Sequence, residues 1–147
     1  MSESAKNSMP IAVIGGSGAY HLLASEVLGK EDLSRFNSKN PQTLAFQSPC
    51  TLQHGQGIRG SVEKLLSTLG HTLTAVPDGH LCCGSAGSYS ILQRDLSLEF
   101  RQRKLKNLHS GSPTVIASAN IGCISHLRAG TDTPVKHWIE ILADELD

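Results

Sequence analysis

At 147 residues, 39% hydrophobic and 18% charged, the chain has the size and composition of one ordinary globular domain, able to bury roughly two-thirds of the surface it exposes when unfolded. Thirteen basic residues balance thirteen acidic ones, so no net field draws nucleic acid or anionic lipid, and neither is expected as a partner. No apolar run approaches the ~20 residues of a membrane span and residues 1–10 lack the apolar core of a signal peptide, so a cytoplasmic protein is expected.

Residues 11–14 form a β-branched apolar run that ends at Gly15-Gly16-Ser17-Gly18, and residues 20–28 follow with helical spacing, which predicts strand, tight turn and helix. The turn is similar to the opening of methylthioadenosine-type nucleoside phosphorylases, but a plain strand-to-helix turn explains it as well, and His21 breaks the dinucleotide fingerprint. Residues 30–42 are polar and read as a linker, so residues 1–42 are set apart from a cysteine-bearing domain at 43–147. Residues 43–47 predict a strand running into Ser48-Pro49-Cys50, residues 61–69 a helix stopped by Gly70, and residues 71–76 another strand before Pro77.

The loop at 77–87 carries Cys82-Cys83-Gly84, and an amphipathic stretch follows with Tyr89, Leu92, Leu96, Phe100, Leu105 and Leu108 as its expected inner face. Arg101, Arg103, Lys104 and Lys106 read as a solvated face of that helix. Residues 114–118 predict a strand, Asn120 to Cys123 a turn, and residues 124–128 a short helix. Thr133-Pro134 opens a closing helix whose stripe is Val135, Trp138, Ile139, Leu142 and Leu146, with Trp138 in the core. Strands alternating with helices predict an α/β fold: a small, mainly parallel sheet of about four strands with flanking helices. Cys50, Cys82, Cys83 and Cys123 then fall on loops at the carboxyl ends of strands, where such sheets form their crevice.

Cysteines in a reducing compartment point to metal or redox chemistry before disulfides. Thirty-one residues separate Cys50 from Cys82, thirty-nine separate Cys83 from Cys123, and His126 completes a Cys-x-x-His. Thiolates are soft ligands suited to zinc or iron–sulfur centres, and imidazole can join either. Adjacent Cys82 and Cys83 strain to reach one ion but can hold different atoms of a polynuclear centre. Gly84 lets backbone come close to such a centre, and His54 and His80 are either donors near it or solvated loop residues. Ser17, Ser85 and Ser88 lack the elbow and partners of a hydrolase nucleophile.

The pattern resembles the cysteine-rich domain named for its Cys-Cys-Gly triplet, found in heterodisulfide reductase and in iron–sulfur subunits of lactate, glycerol-phosphate and glycolate oxidising systems. Ser48-Pro-Cys-Thr-Leu-Gln-His-Gly55, Val76-Pro-Asp-Gly-His-Leu-Cys-Cys-Gly-Ser-Ala-Gly87, Ala119-Asn-Ile-Gly-Cys-Ile-Ser-His-Leu127 and Val135-Lys-His-Trp-Ile-Glu140 are similar to the glycolate oxidase branch. The resemblance implies an iron–sulfur cluster, a noncubane four-iron (4Fe-4S) type, on Cys50, Cys82, Cys83 and Cys123. His126 stands where the family has a fifth cysteine, and zinc is the alternative metal. It implies electron transfer in a complex whose flavoprotein subunits oxidise glycolate to glyoxylate, peripheral at the inner membrane through those partners. The family's ferredoxin-like Cys-x-x-Cys runs are absent from this chain, so it is expected to be a fragment, truncated product or remnant, not active alone. A structural or assembly module, with zinc or no metal, is the competing expectation.

Overall fold

The computed structural model describes residues 38–146, so the predicted strand, glycine turn and helix at 11–28 lie outside the described residues. Strand β1 (Thr43–Gln47) matches its predicted bounds, and its alternation sends Leu44 and Phe46 to one face of the sheet and Ala45 to the other. A single π-helical turn (Thr51–Gly55) and helix α1 (Ser61–Thr68) lead to β2 (Thr72–Leu73). Then come α2 (Tyr89–Leu92), α3 (Arg94–Leu108), β3 (Val115–Ser118), α4 (Ile121–Arg128), β4 (Val135–His137) and α5 (Trp138–Leu146).

The four strands form one sheet in the order β2-β1-β3-β4, and every pairing is parallel. This is the expected α/β architecture. One face packs Leu44, Phe46, Val115 and Ala117 against Val62 and Leu66 of α1 and Trp138 and Ile141 of α5. The other packs Ala45 and Ile116 against Leu105 and Leu108 of α3 and Ile124 and Leu127 of α4, together with Cys83 and Cys123. From β1 the chain steps outward to β2, then returns across β1 to β3. The order therefore reverses between β1 and β3, the position at which sheets of this kind place their binding crevice.

Three elements differ from expectation. The strand at 71–76 contracts to two residues: Thr74 N–H still donates to Leu44 O at 2.8 Å, after which the chain leaves toward Pro77. The segment after Pro134 pairs with β3 before α5 begins at Trp138, so Val135 lies in a strand and Trp138 is buried as expected. The stretch after Gly87 breaks at Gln93 (φ −124°, ψ 56°), and the inner face of α3 is Ser97, Lys104, Leu105 and Leu108. Leu92 and Leu96 are exposed, because the hydrophobic spacing 92–96–100 lies one register away from the stripe that faces the sheet.

His71 is buried, and its Nδ1 accepts from Gln42 N–H at 3.2 Å, which requires that nitrogen to be unprotonated. Burial lowers its pKa, opposed by Glu145. A depressed histidine pKa leaves the native state reluctant to take a proton that the unfolded chain accepts, so stability is full above about pH 6.5 and declines as pH falls below it. Denaturant midpoints are expected to drop between pH 7 and 5, less steeply in His71→Asn, whose side-chain oxygen can replace Nδ1. Equal slopes in the two proteins would refute the assignment. Ile116→Ala, at a fully buried position on the α3–α4 face, should cost about 2–5 kcal/mol in urea unfolding.

Candidate functional site

Cys50 leaves β1 through Ser48-Pro49 and caps the π-helical turn, whose Leu52 and Gln53 N–H groups both donate to Pro49 O at 3.0 Å. Cys82 and Cys83 lie on the loop beyond β2. Cys123 sits in the first turn of α4, which begins at Ile121 instead of Ile124 because Asn120 caps it: Oδ1 accepts from Gly122 N–H at 2.9 Å and from Cys123 N–H at 3.2 Å. All four cysteines are free thiols and gather at the carboxyl ends of the strands.

Cys83 Sγ lies 3.1 Å from Cys123 Sγ, Cys82 Sγ faces Gly84 N–H, and Cys50 is near enough to Cys82 to feel its charge. The adjacent cysteines thus turn to different partners. Ser85 Oγ stands 3.1 Å from Cys83 Sγ and 3.6 Å from Cys123 Sγ, and Gly84 N–H donates to Cys82 Sγ at 3.3 Å. The hydrogen bond from Cys123 brings the Cys83 thiol down to about 5, aided by Ser85 and His126 against the effect of burial. Cys123, which keeps the shared proton, is pushed up by the same bond and by burial. Burial, then Cys82, pushes Cys50 up.

Gly84 is where the loop meets α3. Its φ of +92° is the left-handed region, and a β-carbon would collide with Ser97 O while standing 3.1 Å from Phe100 Cβ and 3.2 Å from His126 Nε2. Ser97 Oγ donates to Gly84 O at 2.7 Å. With the hydroxyl proton so directed, His126 Nε2–H donates to Ser97 Oγ and Ser97 O, each at 3.3 Å. His126 is thus one turn beyond Cys123, beside the Cys-Cys-Gly triplet, with one nitrogen held by α3.

Two buried side chains fix the approach to the cysteines: Gln53, to which no role was assigned, and Lys104, which was expected on a solvated face. Gln53 Nε2 donates to Ser48 O at 3.1 Å and reaches His80 O at 3.4 Å and Gly79 O at 3.5 Å, tying the Cys50 loop to the Cys82 loop. Lys104 is 1% exposed, and its Nζ donates to Gly79 O at 2.7 Å and to Leu81 O at 2.9 Å. Of the four cations expected on a solvated face, Arg103 and Lys106 are exposed, Arg101 is half-buried with Nη1 donating to His126 O at 3.4 Å, and Lys104 is inside. No local signal marks Lys104; only its seven-residue spacing from Ser97 puts both on the face toward the loop. His54 and His80 are exposed, joined by a 3.3 Å contact from His54 Nε2 to His80 O.

A family model described as the cysteine-rich domain, CCG, matches residues 44–128. The chain belongs to this cysteine-rich domain family. It is 49% identical over 122 residues to the glycolate oxidase iron-sulfur subunit of Escherichia coli strain K12, covering 83% of this chain and 30% of that protein. It is 25% identical over 126 residues to lactate utilization protein A 1 of Bacillus mycoides strain KBAB4, covering 82% of this chain and 50% of that protein. It is also 25% identical over 95 residues to a probable glycolate oxidase iron-sulfur subunit of Bacillus subtilis strain 168, covering 64% of this chain and 21% of that protein. The chain spans between a fifth and a half of these relatives' lengths. The resemblance read from the four motifs is borne out at the level of the family and of similarity to the glycolate oxidase subunit.

Among the described residues no three His, Cys, Asp or Glu side chains are gathered closely enough to hold one ion, and no helix is long and apolar enough to cross a membrane. The four free thiols at the strand ends are soft donors, of the kind that suits a thiophilic group with more than one attachment point. Gly84→Ala is expected to destabilise the protein by about 1–3 kcal/mol, through the strained φ and the Ser97 contact. Urea unfolding checks this; a loss under about 0.5 kcal/mol would mean that the loop yields freely.

Proposed function

We propose that the chain is the electron-transfer module of a glycolate-oxidising iron–sulfur subunit, with residues 43–147 as its cysteine-rich unit. The ligands in this reading are Cys50, Cys82, Cys83 and Cys123, and the group is an iron–sulfur cluster of the noncubane four-iron type. The observation that carries the reading is that adjacent cysteines turn apart beside the β1–β3 switch point, Cys83 Sγ lying 3.1 Å from Cys123 Sγ while Cys82 Sγ accepts from Gly84 N–H at 3.3 Å. Similarity to the Escherichia coli subunit supplies the glycolate context. His126 is the proposed fifth member; a ligand role requires its Nδ1, because Nε2 is held by Ser97.

When bound, a cluster supplies reversible uptake of single electrons. The chain's own residues hold the donors and tune them. Gly84 N–H donates toward the Cys82 sulfur and the Ser85 hydroxyl toward Cys83, withdrawing charge from the thiolates, while Gln53 and Lys104 fix the loop that carries them. Glycolate becomes glyoxylate by loss of two electrons and two protons. We place that step on a flavoprotein partner, and the ferredoxin-like clusters on chain outside this one. Association with the inner membrane would come through those partners.

Iron and acid-labile sulfide analysis, with a visible spectrum of protein purified without oxygen, tests the reading. Iron with sulfide and a brown colour lost in Cys82→Ser and in Cys83→Ser is the expected outcome. Zinc, or no metal at all, would overturn it in favour of a structural or assembly module.

A further inference from the structure

Three buried polar side chains lie among the cysteine-bearing segments: Gln47 ends β1, Ser118 ends β3, and Gln53 sits in the π-helical turn. Gln47 and Ser118 are cross-strand partners, and the Ser118 hydroxyl donates to Gln47 Oε1 at 2.5 Å. Gln47 Nε2 then donates to Ser48 O at 3.1 Å, and the same carbonyl accepts from Gln53 Nε2 at 3.1 Å, which engages both of its lone pairs. The second Gln53 N–H lies toward His80 O at 3.4 Å and Gly79 O at 3.5 Å. An unbroken hydrogen-bonded path thus runs from β3 through the Cys50 segment to the Cys82 segment. Every segment on it carries a cysteine of the site: Ser48 is two residues before Cys50, His80 two before Cys82, and Ser118 five before Cys123. Apolar packing holds the strands together, but beyond their ends no ladder reaches, and a fully bonded polar path orders the segments that it joins.

We propose that Gln53 is the positioning residue of the cysteine site: with Gln47 and Ser118 behind it, its amide joins the three cysteine-bearing segments into a preformed socket that holds a thiophilic group against loss. That the group is an iron–sulfur cluster rests on the reading above; the positioning role does not. A group attached through several loops must otherwise order each of them as it binds, which weakens binding. Partners that orient metal ligands from outside commonly govern affinity by about 10–100-fold. Gln53 bonds the backbone of the segments that carry the sulfurs and acts through it, not as a ligand.

The experiment compares the wild-type protein, purified without oxygen, with Gln53→Met, Ser118→Ala, Ser118→Thr and Ile141→Ala. Met fills the space of Gln53 without its donors, Thr keeps the Ser118 hydroxyl that Ala removes, and Ile141, in the core on the α1–α5 face, is the control for general loss of stability. Iron release to an excess of a ferrous chelator is timed, and urea midpoints are measured alongside. Gln53→Met is expected to release iron about tenfold faster than wild type. Ser118→Ala should release it faster than Ser118→Thr, which stays near wild type, and Ile141→Ala should lower the urea midpoint with the release rate unchanged. A wild-type rate in Gln53→Met, or rates that follow the urea midpoint across all variants, would overturn the proposal. Should Gln53→Met not fold, the Ser118 pair decides, and equal rates in Ala and Thr would overturn it. If the wild-type protein contains neither iron nor sulfide, the electron-transfer reading is what fails, and the positioning role is decided on metal-free protein with cadmium ion as the probe. Titration of its thiolate absorbance should show binding about tenfold weaker in Gln53→Met; an unchanged affinity, or no uptake by the wild type, would overturn it.

Discussion

The close approach of Gly84 to Ser97 is the contact on which the cysteine site depends. Backbone at φ +92° lies against the first turn of α3 with no room for a side chain, Ser97 holds the Gly84 carbonyl, and His126 of α4 holds Ser97. Loop, α3 and α4 therefore meet at one place, and Cys83 and Cys123 are delivered to within 3.1 Å of each other as a result. The loop has no ladder or helix of its own to satisfy its carbonyls. Gln53 donates to carbonyls at 48, 79 and 80 and Lys104 to those at 79 and 81, which helps an irregular segment sit at the edge of the core.

How far the fold could be read in the sequence followed from how strongly each segment obeys a single period. Residues 43–47 and 115–118 are short with an unbroken apolar run of three at their centre or start, as suits strands buried on both faces, and both appear within a residue of their predicted bounds. The 135–137 strand was hidden because Val135, Trp138, Ile139 and Leu142 also satisfy a helical stripe, and three residues are too few to show alternation. Helix α3 misled for the opposite reason. Its inner stripe is part polar, since Ser97 and Lys104 face the loop and its carbonyls, so a reading that tracks hydrophobicity picks the wrong register and leaves Leu92 and Leu96 outside.

The cysteines and glycine of the candidate site could be picked out from the sequence, and the side chains that support them could not. A vicinal Cys-Cys followed by Gly is rare enough to announce itself, and the structure brings Cys50, Cys82, Cys83, Gly84, Cys123 and His126 into one neighbourhood. Gln53 and Lys104 are common residue types whose roles arise only from what folding places opposite them. Nothing in Lys104's own neighbourhood separates it from exposed Arg103 and Lys106. Burial of such a lysine is therefore the kind of local rule-breaking that three-dimensional context alone can justify.

Glu145, near the end of α5, grips the segment before β1: Oε1 accepts from Ser38 Oγ at 2.8 Å and Oε2 from Lys39 N–H at 3.0 Å. Residues 38 and 145 are thereby neighbours, like the two prongs of a plug. One carboxylate thus uses both oxygens on the same short segment, so the approach to β1 and the last turn of α5 are fastened to each other by a two-point clasp that a single Glu145→Ala change would undo.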